Sequence, residues 1–178
     1  KDEFAKLMVK KTKKLKIGNG MDKDTVLGPL TTKQRLDGIE KLVETTKKEG
    51  GKILCGGKKP ANFNKGYYFE PTIFDEVKDN FTIMKEEPFG PIVPILTFKS
   101  FEEVIERANN NDLGLCSYIY TNDLRKATKA SELMETGCVA VNTAAVAVAE
   151  APFGGIKQTG YGREGGSMAI KDYLNIKY

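Results

Sequence analysis

The chain has 178 residues, 40% hydrophobic and 29% charged, which suits a compact folded domain with a core of its own, and one domain is the default expectation. Lysine and arginine number 28 against 24 acids, and a net charge of +4 is too small to point to nucleic acid or a membrane surface as a partner. No apolar run reaches membrane-spanning length, no signal-peptide pattern is found, and the three cysteines, Cys55, Cys116 and Cys138, are far apart in sequence, so a cytoplasmic protein in a reducing compartment is expected.

Seven of the first 16 residues are lysine, a pattern open to two readings, a polyanion-binding arm or the solvated face of a helix. Phe4, Leu7, Met8, Lys11 and Leu15 fall at helical spacing among them, which favours a helix over residues 2–15. That helix begins at once after Lys1, and more chain is expected upstream. Residues 17–29 form a loop, broken by Gly18, Gly20, Gly28 and Pro29. Thr31 with Gln34 reads as a capping box, and Leu36, Ile39, Leu42 and Val43 then lay an apolar stripe that ends at Gly50 and Gly51.

Residues 52–55 read as a short strand and residues 67–74 as another, with Pro71 pushing the second toward a sheet edge. Residues 92–98 are apolar throughout, as in a strand buried on both faces, and Ser100 with Glu103 caps a helix carrying Val104, Ile105 and Ala108. Residues 115–120 repeat the strand. Residues 122–136 repeat the helix, with Leu124, Ala127 and Met134 inward and Gly137 closing it, and residues 139–141 supply the next strand. Strands alternating with helices imply an α/β fold with a parallel sheet, whose function collects beyond the carboxyl ends of strands, here residues 142–162. A turn of helix over residues 164–170 and a final strand over residues 173–178 close the chain, and an unpaired strand of that kind invites a partner.

Two segments carry unusual chemistry. In Glu86-Glu87-Pro88-Phe89-Gly90-Pro91 the prolines and glycine fix a turn. A carboxylate held there can accept hydrogen bonds from both hydroxyls of a ribose, and an aromatic two residues on can lie against a flat ring. A solvated acidic turn is the plainer reading, and the residues alone leave both open. In Ala151-Pro152-Phe153-Gly154-Gly155-Ile156-Lys157, followed by Gly160, Gly162 and Gly165-Gly166, small residues let backbone approach backbone or ligand. The strand, glycine loop, long helix order of a dinucleotide fingerprint is absent, so phosphate binding is rejected here.

The sequence has no histidine, which removes the commonest general base, the Ser/His and Cys/His nucleophile pairs and the usual His/Cys metal sites, so no metal is expected. A reactive thiol needs exposure with a helix N-terminus or a cation nearby, and no cysteine shows that setting, so all three read as structural and no catalytic residue is expected within the chain.

Glu87-Pro88-Phe89-Gly90-Pro91, the run at residues 109–114 before a strand, Val141-Asn142 and Pro152-Phe153-Gly154-Gly155 resemble, in order and spacing, the aldehyde dehydrogenase superfamily. Residues 157–165 and 172–178 look most like succinate-semialdehyde dehydrogenases within it. The resemblance implies that residues 1–166 are the C-terminal part of a parallel-sheet α/β catalytic domain and residues 167–178 a C-terminal oligomerisation strand. It implies that Glu87 holds the nicotinamide-side ribose of NAD or NADP, that Phe89 packs near the nicotinamide, that Phe153 lines the aldehyde tunnel and that Ala147 faces the substrate. A homodimer or homotetramer is expected, with a small-molecule aldehyde as substrate. The family reaction is attack of a cysteine thiolate on the aldehyde, hydride transfer to NAD(P)+ and hydrolysis of the thioester with a glutamate as base, and both residues are expected upstream of Lys1 along with the cofactor domain.

One departure concerns the substrate. Succinate-semialdehyde dehydrogenases usually carry a serine where this chain has Ala147, and losing that hydroxyl removes a polar anchor worth on the order of 1 kcal/mol. With Ala144, Ala145, Val146 and Val148 around it, a less polar or longer aldehyde becomes plausible beside succinate semialdehyde. The chain alone is expected to be inactive. Two other readings compete: a naturally truncated, non-catalytic subunit-interaction module, and a stand-alone nucleotide-binding domain, which would need more contact surface than one ribose and one ring face provide.

Overall fold

The lysine-rich opening is helical over Asp2–Thr12 (α1), with Asp2 and Glu3 in the first turn and Lys10 and Lys11 in the last, charges that complement the helix dipole. The buried side of α1 is Ala5 with Met8 and Val9, whereas Phe4 and Leu7 of the expected stripe are exposed. The second helix, α2, spans Lys33–Lys48, and its cap is Thr32, whose hydroxyl accepts from the Arg35 amide at 3.1 Å, in place of the expected Thr31 and Gln34. Gly50, at φ 106°, closes α2 as its position predicted.

The computed structural model describes residues 1–178, which divide into two compact units, Lys1–Thr97 and Phe98–Tyr178. In the first, strands β1 (Lys52–Cys55), β2 (Thr72–Asp75) and β3 (Ile92–Pro94) form a sheet in that order, β1 antiparallel and β3 parallel to β2. The strand buried on both faces is β2. Phe74 joins Leu36, Ile39, Leu42 and Val43 of α2 with Phe69, Val77, Phe81, Ile83 and Ile92, while Ile73 joins Ala5 and Ile95 with Met8, Val9 and Leu54. Burying each large side chain of this set contributes about 1.5–3 kcal/mol.

This reverses two expectations. Pro71 precedes the central strand and marks no edge, since a proline outside the ladder withholds no bond from it. The strand expected over residues 92–98 stops at Pro94, lies at the sheet edge and leaves Val93 and Phe98 exposed.

The second unit holds α3 (Phe101–Asn109), β4 (Leu113–Gly114), β5 (Cys116–Ile119), α4 (Leu124–Leu133), β6 (Cys138–Val141) and β7 (Ile156–Lys157). The Ser100 and Glu103 capping box forms as read: Ser100 accepts from the Glu103 amide at 3.1 Å and Glu103 accepts from the Lys99 amide at 2.8 Å. Strands β5 and β6 are parallel and in register from Cys116↔Cys138 to Ile119↔Val141, and β4 pairs antiparallel with β7. Asp123 caps α4 by accepting from the Arg125 and Lys126 amides, and Ala127 and Ala130 are its buried residues. Leu124, expected inward, is exposed because it is the first helical residue, and Ala108 on α3 is exposed as well.

Helix α4 ends at Leu133, so Gly137 does not close it. Gly137 is needed instead because a Cβ there would lie 1.8 Å from the Gly154 carbonyl oxygen. At the C-terminus a short 3-10 helix covers Ala169–Tyr173, later than the turn expected over residues 164–170, and the chain alone forms no strand over residues 173–178. Tyr173, Leu174, Ile176 and Tyr178 are exposed. No helix is long and apolar enough to cross a membrane.

Candidate functional site

The acidic turn at residues 86–91 is fixed from three sides. Upstream, the Glu49 carboxylate at the end of α2 accepts from the Thr82 amide at 3.1 Å and its hydroxyl at 2.7 Å, and the Glu86 amide donates to the Thr82 carbonyl at 3.0 Å. Downstream, the Pro91 carbonyl accepts from the Thr72 amide of β2 at 2.7 Å. Between them Gly90 lies so close to α2 that a Cβ would stand 2.6 Å from Ile39 Cδ1. The Gly90 amide donates to the Pro88 carbonyl at 2.7 Å, a three-residue turn with Phe89 at its centre.

On this anchored turn the Glu87 side chain is exposed and makes no hydrogen bond or ion pair within the chain, which leaves both oxygens free to accept. Phe89 is exposed as well, and the Arg35 guanidinium of α2 sits over its ring at 5.2 Å. Sequence reading missed Arg35, because a cation on the outer face of a helix carries no local signal. A contact of that kind is worth about 0.5–1 kcal/mol at an exposed position. It orients the ring, which stays largely exposed.

Ala147 and Phe153 belong to the second unit. Asn142, just after β6, takes φ 56°, and its amide both donates to the Thr121 carbonyl at 2.9 Å and accepts from the Thr121 amide at 3.0 Å. This clasp starts the loop on which Ala147 is exposed. The loop returns at Ala149, whose carbonyl accepts from the Gly166 amide at 2.8 Å. Phe153 is bridged to Glu164 by two backbone bonds of 2.6 and 2.7 Å. The run at residues 164–166 therefore holds the strands of chain that carry both Ala147 and Phe153.

The glycines around Phe153 serve backbone contact. A Cβ at Gly154 would meet the Gly162 carbonyl oxygen at 2.5 Å, and one at Gly155 would meet Thr159 Cγ2 at 2.3 Å. Arg163 Nη1 donates to the Gly155 carbonyl at 2.9 Å and the Gly162 carbonyl at 2.7 Å, and the Arg163 amide donates to Asp172 at 2.7 Å. Lys157 Nζ donates to the Asn109 carbonyl at 2.7 Å and the Asn111 carbonyl at 3.0 Å, and pairs with Glu135 at 2.6 Å. Asn142, Lys157 and Arg163 lie in the segments the sequence marks, but the sequence assigns their side chains no role. A basic residue among glycines reads as solvent-facing until the carbonyls it caps are known. A cavity of about 440 Å³ opens beside Phe153, lined also by Leu115, Tyr161, Arg163, Asp172 and Tyr173.

No group of three or more His, Cys, Asp or Glu side chains is placed to hold a metal ion. Burial pushes the thiols of Cys55 and Cys116 up, the opposite of an activated nucleophile. Cys116 and Cys138, far apart in sequence, are direct partners on adjacent strands.

All of residues 1–178 match the family model described as "Aldehyde dehydrogenase family". The chloroplastic betaine aldehyde dehydrogenase of Atriplex hortensis is 42% identical over 98% of this chain and 35% of its own length. The NADP(+) succinate-semialdehyde dehydrogenase of Escherichia coli K12 is 40% identical over 99% of this chain and 36% of its own. The NAD+ complex of an aldehyde dehydrogenase from Bacillus cereus superposes with a TM-score of 0.94 at 40% identity, over 99% of this chain and 35% of that one. The chain thus spans about a third of the length of the proteins it matches.

Proposed function

The chain belongs to the aldehyde dehydrogenase family, and we propose that it builds the cofactor-facing and substrate-facing walls of an NAD(P)-linked enzyme that oxidises a small aldehyde to its acid. The observation that carries this reading is Glu87, unpaired and exposed on a turn anchored at Thr82, Gly90 and Pro91. A carboxylate with no partner of its own on a rigid turn suits the two adjacent hydroxyls of a ribose, with each oxygen accepting one bond. Phe89, braced by Arg35 on one face, presents the other to the nicotinamide ring. The nicotinamide cofactor supplies the hydride acceptor. The residues of this chain orient its ribose end and shape the aldehyde side through Ala147 and Phe153.

The relatives' printed substrates differ, betaine aldehyde for one and succinate semialdehyde for another, so the choice rests on this chain's own residues. Ala147 offers no hydroxyl to a substrate carboxylate, which places succinate semialdehyde beside less polar aldehydes of similar size as the substrate class. Residues 1–166 act as wall and scaffold, and residues 167–178, with Leu174, Ile176 and Tyr178 uncovered, serve as the oligomerisation arm of a homodimer or homotetramer. The nucleophile and the base lie elsewhere in the protein, and the protein works in the cytoplasm.

The test uses the complete protein. Aldehyde-dependent reduction of NAD+ or NADP+ is followed by the absorbance of the reduced cofactor, with native Glu87 and with Glu87→Gln. The variant should raise the KM for cofactor about tenfold or more, as expected when a charge-assisted hydrogen bond of about 1.5–3 kcal/mol is weakened. No aldehyde-dependent reduction in the native protein, or an unchanged cofactor KM in the variant, would overturn the reading.

A further inference from the structure

The β5–β6 pair brings two thiols together that sequence distance kept apart. Cys116 and Cys138 open the two parallel strands as register partners, and in-register residues on neighbouring strands point to the same side of a sheet. Neighbouring strands run about 4.8 Å apart, which falls inside the roughly 4.4–6.8 Å between Cα atoms that a disulfide spans. Both residues are half-buried, open enough for a small reagent. Thr136 reinforces the same corner, its hydroxyl 3.1 Å from Ser117 Oγ and 3.1 Å from the Cys138 carbonyl oxygen.

We propose that Cys116 and Cys138 form a dithiol modification site that a peroxide closes into a cross-strand disulfide. In the balanced step one thiolate attacks the O–O bond to give a sulfenic acid and water or hydroxide. The second thiol then displaces the sulfenic oxygen as water, so that two thiols and one peroxide yield one disulfide and two waters when the peroxide is hydrogen peroxide. Register places the two sulfurs alike, so either thiol can take the first step and its partner the second. Cys55 sits in the first unit, on β1, and has no cysteine partner there.

The site adjoins the candidate substrate wall. Cys138 Sγ lies 3.6 Å from the Gly154 carbonyl oxygen, and Gly154 follows Phe153 directly. Closing the disulfide turns that sulfur toward β5, and the turn bearing Phe153 loses a contact. The site stands whichever aldehyde the protein accepts.

The complete protein is exposed to graded hydrogen peroxide, its remaining thiols are blocked, and proteolytic fragments are mapped by mass spectrometry with and without dithiothreitol. The expected product is the Cys116 peptide joined to the Cys138 peptide, released by reduction, at doses that leave Cys55 a free thiol. Cys116→Ser should abolish the link and leave a sulfenic acid at Cys138 that dimedone traps. Cys138→Ser should likewise abolish the link. Recovery of Cys116 and Cys138 as separate thiols, or as independent sulfinic acids, in the native protein at doses that oxidise Cys55 would overturn the proposal. Because the decisive observation is made on the native protein, a variant that folds poorly leaves the test intact.

Discussion

Substituting Gly137 by alanine tests whether the Phe153 turn is held by backbone contact. The added Cβ would stand 1.8 Å from the Gly154 carbonyl oxygen and 2.9 Å from the Gly155 Cα. Carbon and oxygen rest about 3.3 Å or more apart, so one backbone must retreat by roughly 1.5 Å. Neither side yields cheaply. Gly137 directly precedes β6, with its amide donating to the Gly114 carbonyl at 3.0 Å, and Gly154 is wedged against the Gly162 carbonyl and Arg163. Overpacking of this kind costs about 1–3 kcal/mol, and the thermal unfolding midpoint of the complete protein should fall measurably, by less per kcal/mol than the roughly 2–4 °C of a 150–250-residue domain because the shift shrinks with size. The displacement passes along the chain from Gly154 to Phe153, so on the proposed reading the KM for aldehyde should rise while the KM for cofactor, assigned to the turn at residues 86–91, stays within about twofold. Native thermal stability together with native kinetics in Gly137→Ala would refute the close approach. A cofactor KM that rises in step with the aldehyde KM would refute the division of labour.

Ala147→Ser restores the hydroxyl that the succinate-semialdehyde-like signature leads one to expect, and it should shift the kcat/KM ratio of succinate semialdehyde to butanal upward by about fivefold or more, for one added hydrogen bond of about 1 kcal/mol. An unchanged ratio would remove Ala147 from the substrate wall. The capping carboxylate of α3 gives a pH test: hydrogen bonds from the Lys99 amide, then from Arg107, hold Glu103 below its ordinary value of 4.5. A depressed folded-state value means that its stabilisation is present above the ordinary value and is lost as pH falls through the folded one. Glu103→Gln should therefore flatten the acid side of the stability profile below about pH 5 and leave its slope near neutrality unchanged. An acid limb identical to that of the native protein would show that the cap contributes nothing to it.

Much of the architecture was legible because its signals are local. The Ser100–Glu103 box, the Leu36, Ile39, Leu42 and Val43 stripe, Gly50 after α2 and the strand at Lys52–Cys55 each rest on a few neighbouring residues, and each forms as read. The errors share a cause, which is that burial belongs to a strand's neighbours as much as to its own residues. Residues 92–98 look doubly buried, but only Ile92–Pro94 form a strand, the edge strand β3, while β2, with Thr72 and Asp75 at its ends, is the one covered on both faces. Gly137 carried a helix-end signal, yet the contact that requires it lies at Gly154, seventeen positions further on. The cysteine pair was invisible for the same reason: 22 residues separate Cys116 from Cys138 in sequence, and only strand register makes them neighbours.

The two units differ in how they hold their candidate residues, and the difference follows from what each buries. In the first, the turn carrying Glu87 and Phe89 leans on a true apolar core, with Phe74 and Ile73 essentially inaccessible and Ile39 filling the space beside Gly90. In the second, the buried apolar residues are Ala127, Ala130 and Ala140, side chains too small to fix a neighbouring loop by packing. Its order comes instead from polar ties along the backbone: Lys157 to two carbonyls and Glu135, Arg163 to two more, and Asn142 to both groups of Thr121. Hydrogen bonds net about 1 kcal/mol each but fix direction, and glycines without Cβ let the tied strands of chain close on one another. A loop held this way can change the residue at position 147 without disturbing a core.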